Sequence, residues 1–197
     1  MSIFSMYART RARIAHACLL LCVLAAVCWM TGCASTPPVS SADVLDAMCQ
    51  AATERPIGQV RVRSIPQADT NTNTKPSYLD DNVLSALYGA ECLSWFDGQE
   101  TQDGTQSTPI VDDVAIYLST VQHPFEVAVF RCTDSYGTLS TAKQCKRRLH
   151  SIQETWNGTD KEAYCRLGCV EIVDNYVILV ISDKPEALLD AARRLIS

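Results

Sequence analysis

The chain is poor in the side chains that carry most catalysis. It has three histidines in 197 residues. One of them, His16, falls in an N-terminal segment expected to be removed, which leaves His123 and His150. A Ser-His or Cys-His pair would have to use one of these two. No Cys-X-X-Cys pair occurs, which argues against a thioredoxin-like site. Gly-rich phosphate loops, nucleophile motifs and clustered metal ligands are missing too, so no cofactor is implied. Positive charge is scarce. Three of the 17 Lys and Arg residues lie in the first 32 positions, leaving 14 against 22 Asp and Glu, a net of −8. Such a body repels phosphate backbones, which argues against a nucleic-acid partner, and it stands off from anionic lipid. No internal sequence repeat is present.

What the sequence does have is a marked N-terminus. Arg9, Arg11 and Arg13 precede residues 14–30, an apolar run of 17 residues that closes on Met30-Thr31-Gly32-Cys33. A basic segment followed by an apolar one is the layout of an export signal. Small residues just ahead of a cysteine make the cut site of a bacterial lipoprotein signal. The thiol of Cys33 accepts a diacylglyceryl group, and a signal peptidase then cuts between Gly32 and Cys33, where bulky side chains would block access. The alternatives are an uncleaved membrane helix, for which 17 residues is at the short limit, or an ordinary secretory signal. The polar, Pro-containing stretch that follows favours the lipoprotein. The expected organisation is therefore a signal peptide over 1–32, a lipidated tether over 33–41 and a single domain over 42–197, held at the outer face of the cytoplasmic membrane by lipid on Cys33.

Six cysteines remain in the mature chain: Cys49, Cys92, Cys132, Cys145, Cys165 and Cys169. An even number outside the cytoplasm permits disulfides. A domain of this length does not need such staples, and free cysteine packs as a small apolar residue. The expectation is zero to two bridges. Cys165 and Cys169 resemble half a zinc site, but no complementary pair of Cys or His follows.

Periodicity places the elements. Val44, Leu45, Met48 and Ala52 recur at helical spacing after a cap at Ser41 or Asp43, and the helix should end before Pro56. Residues 57–65 alternate weakly and suggest a short strand or extended coil. Polar loops are expected over 66–77 and 97–109. Between them Asp80 or Asp81 caps a second helix that ends at Gly89, and Trp95 and Phe96 are expected in the core. Residues 111–119 alternate as a half-buried strand, with Val114, Ile116 and Leu118 on one face and Asp113, Ala115 and Tyr117 on the other. Residues 125–132 form a second strand in a hairpin with it. Adjacent Asp112 and Asp113 should point to opposite faces, which argues against a paired-carboxylate site.

The longest helix starts within 134–138. Its apolar stripe is Leu139, Ala142, Cys145, Leu149, Ile152 and Trp156. Lys143, Lys146, Arg147 and Arg148 are expected on a solvated face with His150 beside the stripe; the alternative is a docking site for an anionic partner. Residues 170–173 and 176–182 flank a two-residue turn at Asp174-Asn175. A last helix opens with Pro185 in its first turn and a capping box of Asp183 and Glu186. The order β-β-α-β-β-α after two short helices predicts an α+β two-layer sandwich: a mostly antiparallel sheet with helices on one face.

Several segments together resemble one family: Leu87-Tyr88-Gly89, residues 113–119 (DVAIYLS), residues 126–130 (EVAVF), the charged helix ending near Trp156, and residues 175–182 (NYVILVIS). The pattern is similar to the domain of unknown function 4358, found in lipoproteins and secreted proteins of Gram-positive bacteria. The resemblance spans roughly 42–197. Asp174 stands where that family has glycine, and the insert over 91–109 is unusual for it. The resemblance implies no activity, cofactor or active site.

Three functions are consistent with these features. The favoured one is a non-catalytic extracytoplasmic domain that binds a surface protein, peptide or wall component. The alternatives are a cell-wall or peptide hydrolase, and a thiol-redox or metal-handling lipoprotein.

Overall fold

The three segments richest in apolar residues lie side by side in the middle of one sheet. In the computed structural model residues 38–64, 77–97 and 108–197 are described, all within the unit Pro38–Ser197. Strands β1 (Gly58–Ser64), β2 (Ser77–Tyr78), β3 (Val111–Ser119), β4 (Glu126–Cys132), β5 (Cys169–Val173) and β6 (Tyr176–Ile181) form a sheet ordered β2-β1-β3-β4-β6-β5. Every pairing is antiparallel except the two-residue contact of β2 with β1. The expected α+β class, mostly antiparallel sheet and β-β-α-β-β-α order are present.

The helices are α1 (Ser41–Ala51), α2 (Asp81–Tyr88), a 3-10 turn (Ala90–Leu93), α3 (Ser94–Asp97), α4 (Ser135–Thr155), α5 (Glu162–Arg166) and α6 (Pro185–Ile196). Sheet and α4 form the expected two-layer unit. Val114, Ile116, Ala128, Phe130, Val177 and Leu179 meet Ala142, Cys145 and Ile152 of α4, together with Leu84, Tyr88, Trp95 and Phe96. Tyr88 and Trp95 both stand edge-on or tilted to one another around Phe130, at 5.1 and 5.7 Å from its ring, each pair worth about 0.5–1.5 kcal/mol beyond its burial.

The expectation of helices on one face needs a correction: α1 and α6 cover the opposite face. There Ala115, Tyr117, Val127, Val129, Ile178 and Val180 pack on Val44, Leu45, Met48, Leu188, Leu189 and Ala192. β3 is accordingly buried on both faces rather than half-buried, from Val111 through Tyr117 apart from the intermediate Asp112. The physical reason is visible in β6, where all six residues are buried. A strand apolar on both faces requires a cover on each.

Local chemistry explains the boundaries. Ser40, rather than Ser41 or Asp43, caps α1 by accepting from the Asp43 N–H at 3.1 Å. Asp80 caps α2 and Asp134 caps α4 in the same way. Gly89 ends α2 with φ 89°. The expected capping box of Asp183 and Glu186 does not form: Lys184 is the cap residue of α6, Asp183 accepts from Ser182, and Glu186 pairs with Arg193. Asp174 takes φ 51° in the β5–β6 turn. Helix α5 and strand β2 had no periodic signal because they are too short to show one. The signal, Cys33 and the tether up to residue 37 lie outside the described residues, as do most of the two polar loops.

Glycine in a helix is normally about 0.5–1 kcal/mol worse than alanine, and Gly137 in the first turn of α4 reverses that sign. A Cβ there would lie 2.5 Å from the Ile110 carbonyl oxygen. Gly137→Ala is expected to destabilise the fold by about 1–3 kcal/mol, read as a lower urea midpoint at unchanged slope; a neutral or stabilising effect would show that residue 110 yields.

Candidate functional site

Glu126 opens β4 on the α4 side and is 2% exposed, the one acidic group in a strand that is apolar but for Arg131 near its end. An ionised carboxylate there needs a partner. Arg148 of α4 supplies it from Nη2 at 2.7 Å and Nε at 3.2 Å, and the Tyr88 hydroxyl donates at 3.1 Å. Arg148 is therefore not on the solvated face where its neighbours lie; its side chain is 22% exposed and turned inward. Burial and the adjacent carboxylate push the Tyr88 hydroxyl well above its usual range, so it stays a donor. The Glu126 carboxylate is answered by both groups inside the core. It fixes α2 and α4 to the sheet.

A second buried carboxylate ties the start of α1 to the sheet. Asp113, 4% exposed, accepts from the Ser41 N–H at 2.6 Å and the Ser64 hydroxyl at 2.7 Å. The strand register shifts between Val111 and Asp113, and at that irregularity Asp112 accepts from Arg131 Nε at 2.7 Å. Both carboxylates favour the charged Arg131. The expected opposition of Asp112 and Asp113 is thus undone by the bulge. Asp112 pairs with the Arg131 guanidinium, whereas Asp113 bonds Ser41 and Ser64 and acts on Arg131 through charge alone.

The histidines sit apart. His123 is half-buried, its Nδ1 accepting from the Phe125 N–H at 3.2 Å and its ring edge-on to Tyr164 at 4.9 Å. Burial, then the nearby Lys161, holds its pKa below 6.5. It is therefore a neutral turn residue with the proton on Nε2. His150 is exposed and contacts Glu154 at 3.2 Å one turn along. His150 and Glu154 line a surface cleft of about 280 Å³ with Gln153, Asn157, Glu162 and Arg166. No Ser, Thr or Cys is among these lining residues.

Cys49, Cys92, Cys132, Cys145, Cys165 and Cys169 are all free thiols, five of them buried and Cys169 intermediate. Cys92 Sγ donates to the Gly89 carbonyl at 2.8 Å and Cys132 Sγ to Thr141 at 3.6 Å. Burial raises both thiols to about 11 from 9.0, and lifts Cys145 well above the same value. These are packed, protonated sulfurs rather than nucleophiles. Among the described residues no three of His, Cys, Asp and Glu converge as a metal site.

The feature shaped for contact is on the outer side of α4. Leu139, expected in the core stripe, is 67% exposed, and Ile172 of β5 is 44% exposed. β5 is the last strand of the sheet, so no described strand lies beyond it to cover Leu139. The two flank a shallow groove of about 510 Å³ whose lining also includes Ala142, Lys143, Lys146, Arg147 and His150. The cation spacing was legible in the sequence, but the groove was not. Ile172 looked like any strand residue, and only the position of β5 at the sheet edge exposes it. Glu126 does carry a sequence signal, a lone acid at the head of a strand that is apolar as far as Arg131.

No family model, no curated protein and no solved structure matches the chain. The resemblance to the domain of unknown function 4358 gains no support from those comparisons.

Two predictions follow the buried groups. Arg148→Met strands the Glu126 charge and is expected to cost about 2–4 kcal/mol in urea unfolding, whereas Glu126→Gln combined with Arg148→Met should recover more than half of that loss; equal losses would mean the pair is not coupled. The Cys92 and Cys132 thiols favour the protonated form in the folded chain, so the stability they confer is intact below pH 9.0 and is lost as pH rises toward about 11. The slope of stability against pH over that window should flatten in a Cys92→Ala, Cys132→Ala variant.

Proposed function

We propose that the mature protein is a lipid-anchored binding domain on the outer face of the cytoplasmic membrane, without catalytic activity of its own. The anchor is the diacylglyceryl group on Cys33, exposed by cleavage after Gly32. Support for placement comes from the basic and apolar leader and the small residues ahead of Cys33. The observation that carries the binding role is the groove between α4 and β5, where Leu139 and Ile172 present aliphatic surface at a sheet edge. Its partner is a surface protein, peptide or wall component.

The hydrolase alternative keeps one specific observation, the His150–Glu154 pair with Glu162 in the same cleft. The pair is largely exposed, at 71% and 68%, whereas catalytic groups usually sit in a cleft that excludes water. That weighs toward binding. Activity on wall peptides that disappears in His150→Ala would reverse the order.

Intact-mass measurement on material purified from membranes should find residues 1–32 removed and a lipid on Cys33. Cys33→Ala should lose the lipid and remain uncleaved. An uncleaved wild-type chain with a bare Cys33 thiol would overturn the placement.

A further inference from the structure

We infer that the α4–β5 groove binds an extended acidic peptide carrying aliphatic side chains. This deepens the binding-domain reading and rests on it.

Charge complementarity comes first. The mature chain is net negative by eight, yet the rim of this groove is formed by Lys143, Lys146, Arg147 and His150. Arg147 is held by Glu91 at 3.3 Å and His150 by Glu154 at 3.2 Å. Lys143 and Lys146 pair with no carboxylate among the described residues, and both are exposed. They lie one turn apart on the same helix face, so their ammonium groups extend over the same stretch of groove. Arg148, which belongs to the same run in the sequence, faces inward to Glu126. The residues left facing out are the ones that line the groove.

The floor argues for a peptide rather than a simple anion. Leu139, Ala142 and Ile172 offer aliphatic contact that a phosphate or a lipid headgroup does not use. β5 pairs with β6 on one side and ends the sheet on the other. An edge strand offers backbone donors and acceptors in register with an extended chain. A peptide laid along this edge would place alternate side chains toward Ile172 and Leu139, and carboxylates among them would meet Lys143 and Lys146. An anionic bilayer is the weaker fit, because the acidic remainder of the body is repelled by it.

The test uses the full lipidated protein in a neutral detergent and a fluorescent peptide repeating Ile-Ser-Glu-Ser, which puts Ile and Glu on the same face of an extended chain. Anisotropy should report binding that weakens with added salt, and a matched Lys/Ile peptide should bind far less. Lys143→Glu with Lys146→Glu is expected to weaken the Glu/Ile peptide about tenfold, and Ile172→Asp should weaken it as well. Arg194→Glu, an exposed charge reversal on α6, should leave it unchanged. All four sites are at least partly exposed, so folding is checked by an unchanged melting curve. Equal binding of the two peptides, no binding of either, or an affinity that ignores both lysines and Ile172 would overturn the inference. So would adsorption to phosphatidylglycerol vesicles without peptide binding. A different partner captured on another face would overturn this inference while leaving the binding-domain reading in place, whereas wall-peptide hydrolysis dependent on His150 would remove that reading itself.

Discussion

The fold depends on one constraint, that its central strands are apolar on both faces. β6 has no exposed residue and β4 has only Arg131 partly exposed. A sheet of that kind is unstable with one face wet, so the chain must supply two covers. It does so from distant segments. The first and last helices come together on one side, and the segment 81–97 and α4 share the other. The register β3-β4-β6 is what brings residues far apart in sequence to a common layer.

Polar groups caught inside this arrangement are few and are answered. Glu126 has Arg148 and Tyr88, and Asp113 has Ser41 and Ser64. Among the described residues no buried side-chain nitrogen or oxygen lacks a partner. A satisfied buried ion pair contributes little net stability against an apolar replacement, but it is costly to break. Each network therefore selects the arrangement in which it closes, and tolerates no half-built version of it. The buried thiols add no such demand and pack as apolar groups.

Much of the fold was legible because period and length are local properties. Alternation in β3, the two-residue turn before β6 and the amphipathic pattern of α6 placed those elements within a residue or two. The layer count was less legible. The run over 177–181 was recognised as a central strand, but which helices would cover each face is a matter of three-dimensional order that no window of sequence contains. Leu139 illustrates the same limit. It falls in step with Ala142 and Cys145 along the helix, yet the sheet stops at β5 before reaching it. At the candidate site the cations could be read from the sequence, whereas the aliphatic floor arises only where a helix overhangs a sheet edge. Arg148 was misplaced because its partner, 22 residues away, is defined by strand register.

The entry of the chain into the domain has a mechanical consequence. The Val39 carbonyl accepts from the Tyr176 hydroxyl at 2.5 Å and from Arg131, while Ser41 is bonded to Asp113. Val39 and Ser41 are thereby bolted to β3, β4 and β6. Tension applied ahead of Pro38 reaches these bonds to three central strands before it reaches the body of α1. The helix that follows is thereby shielded from the load by its own anchor points.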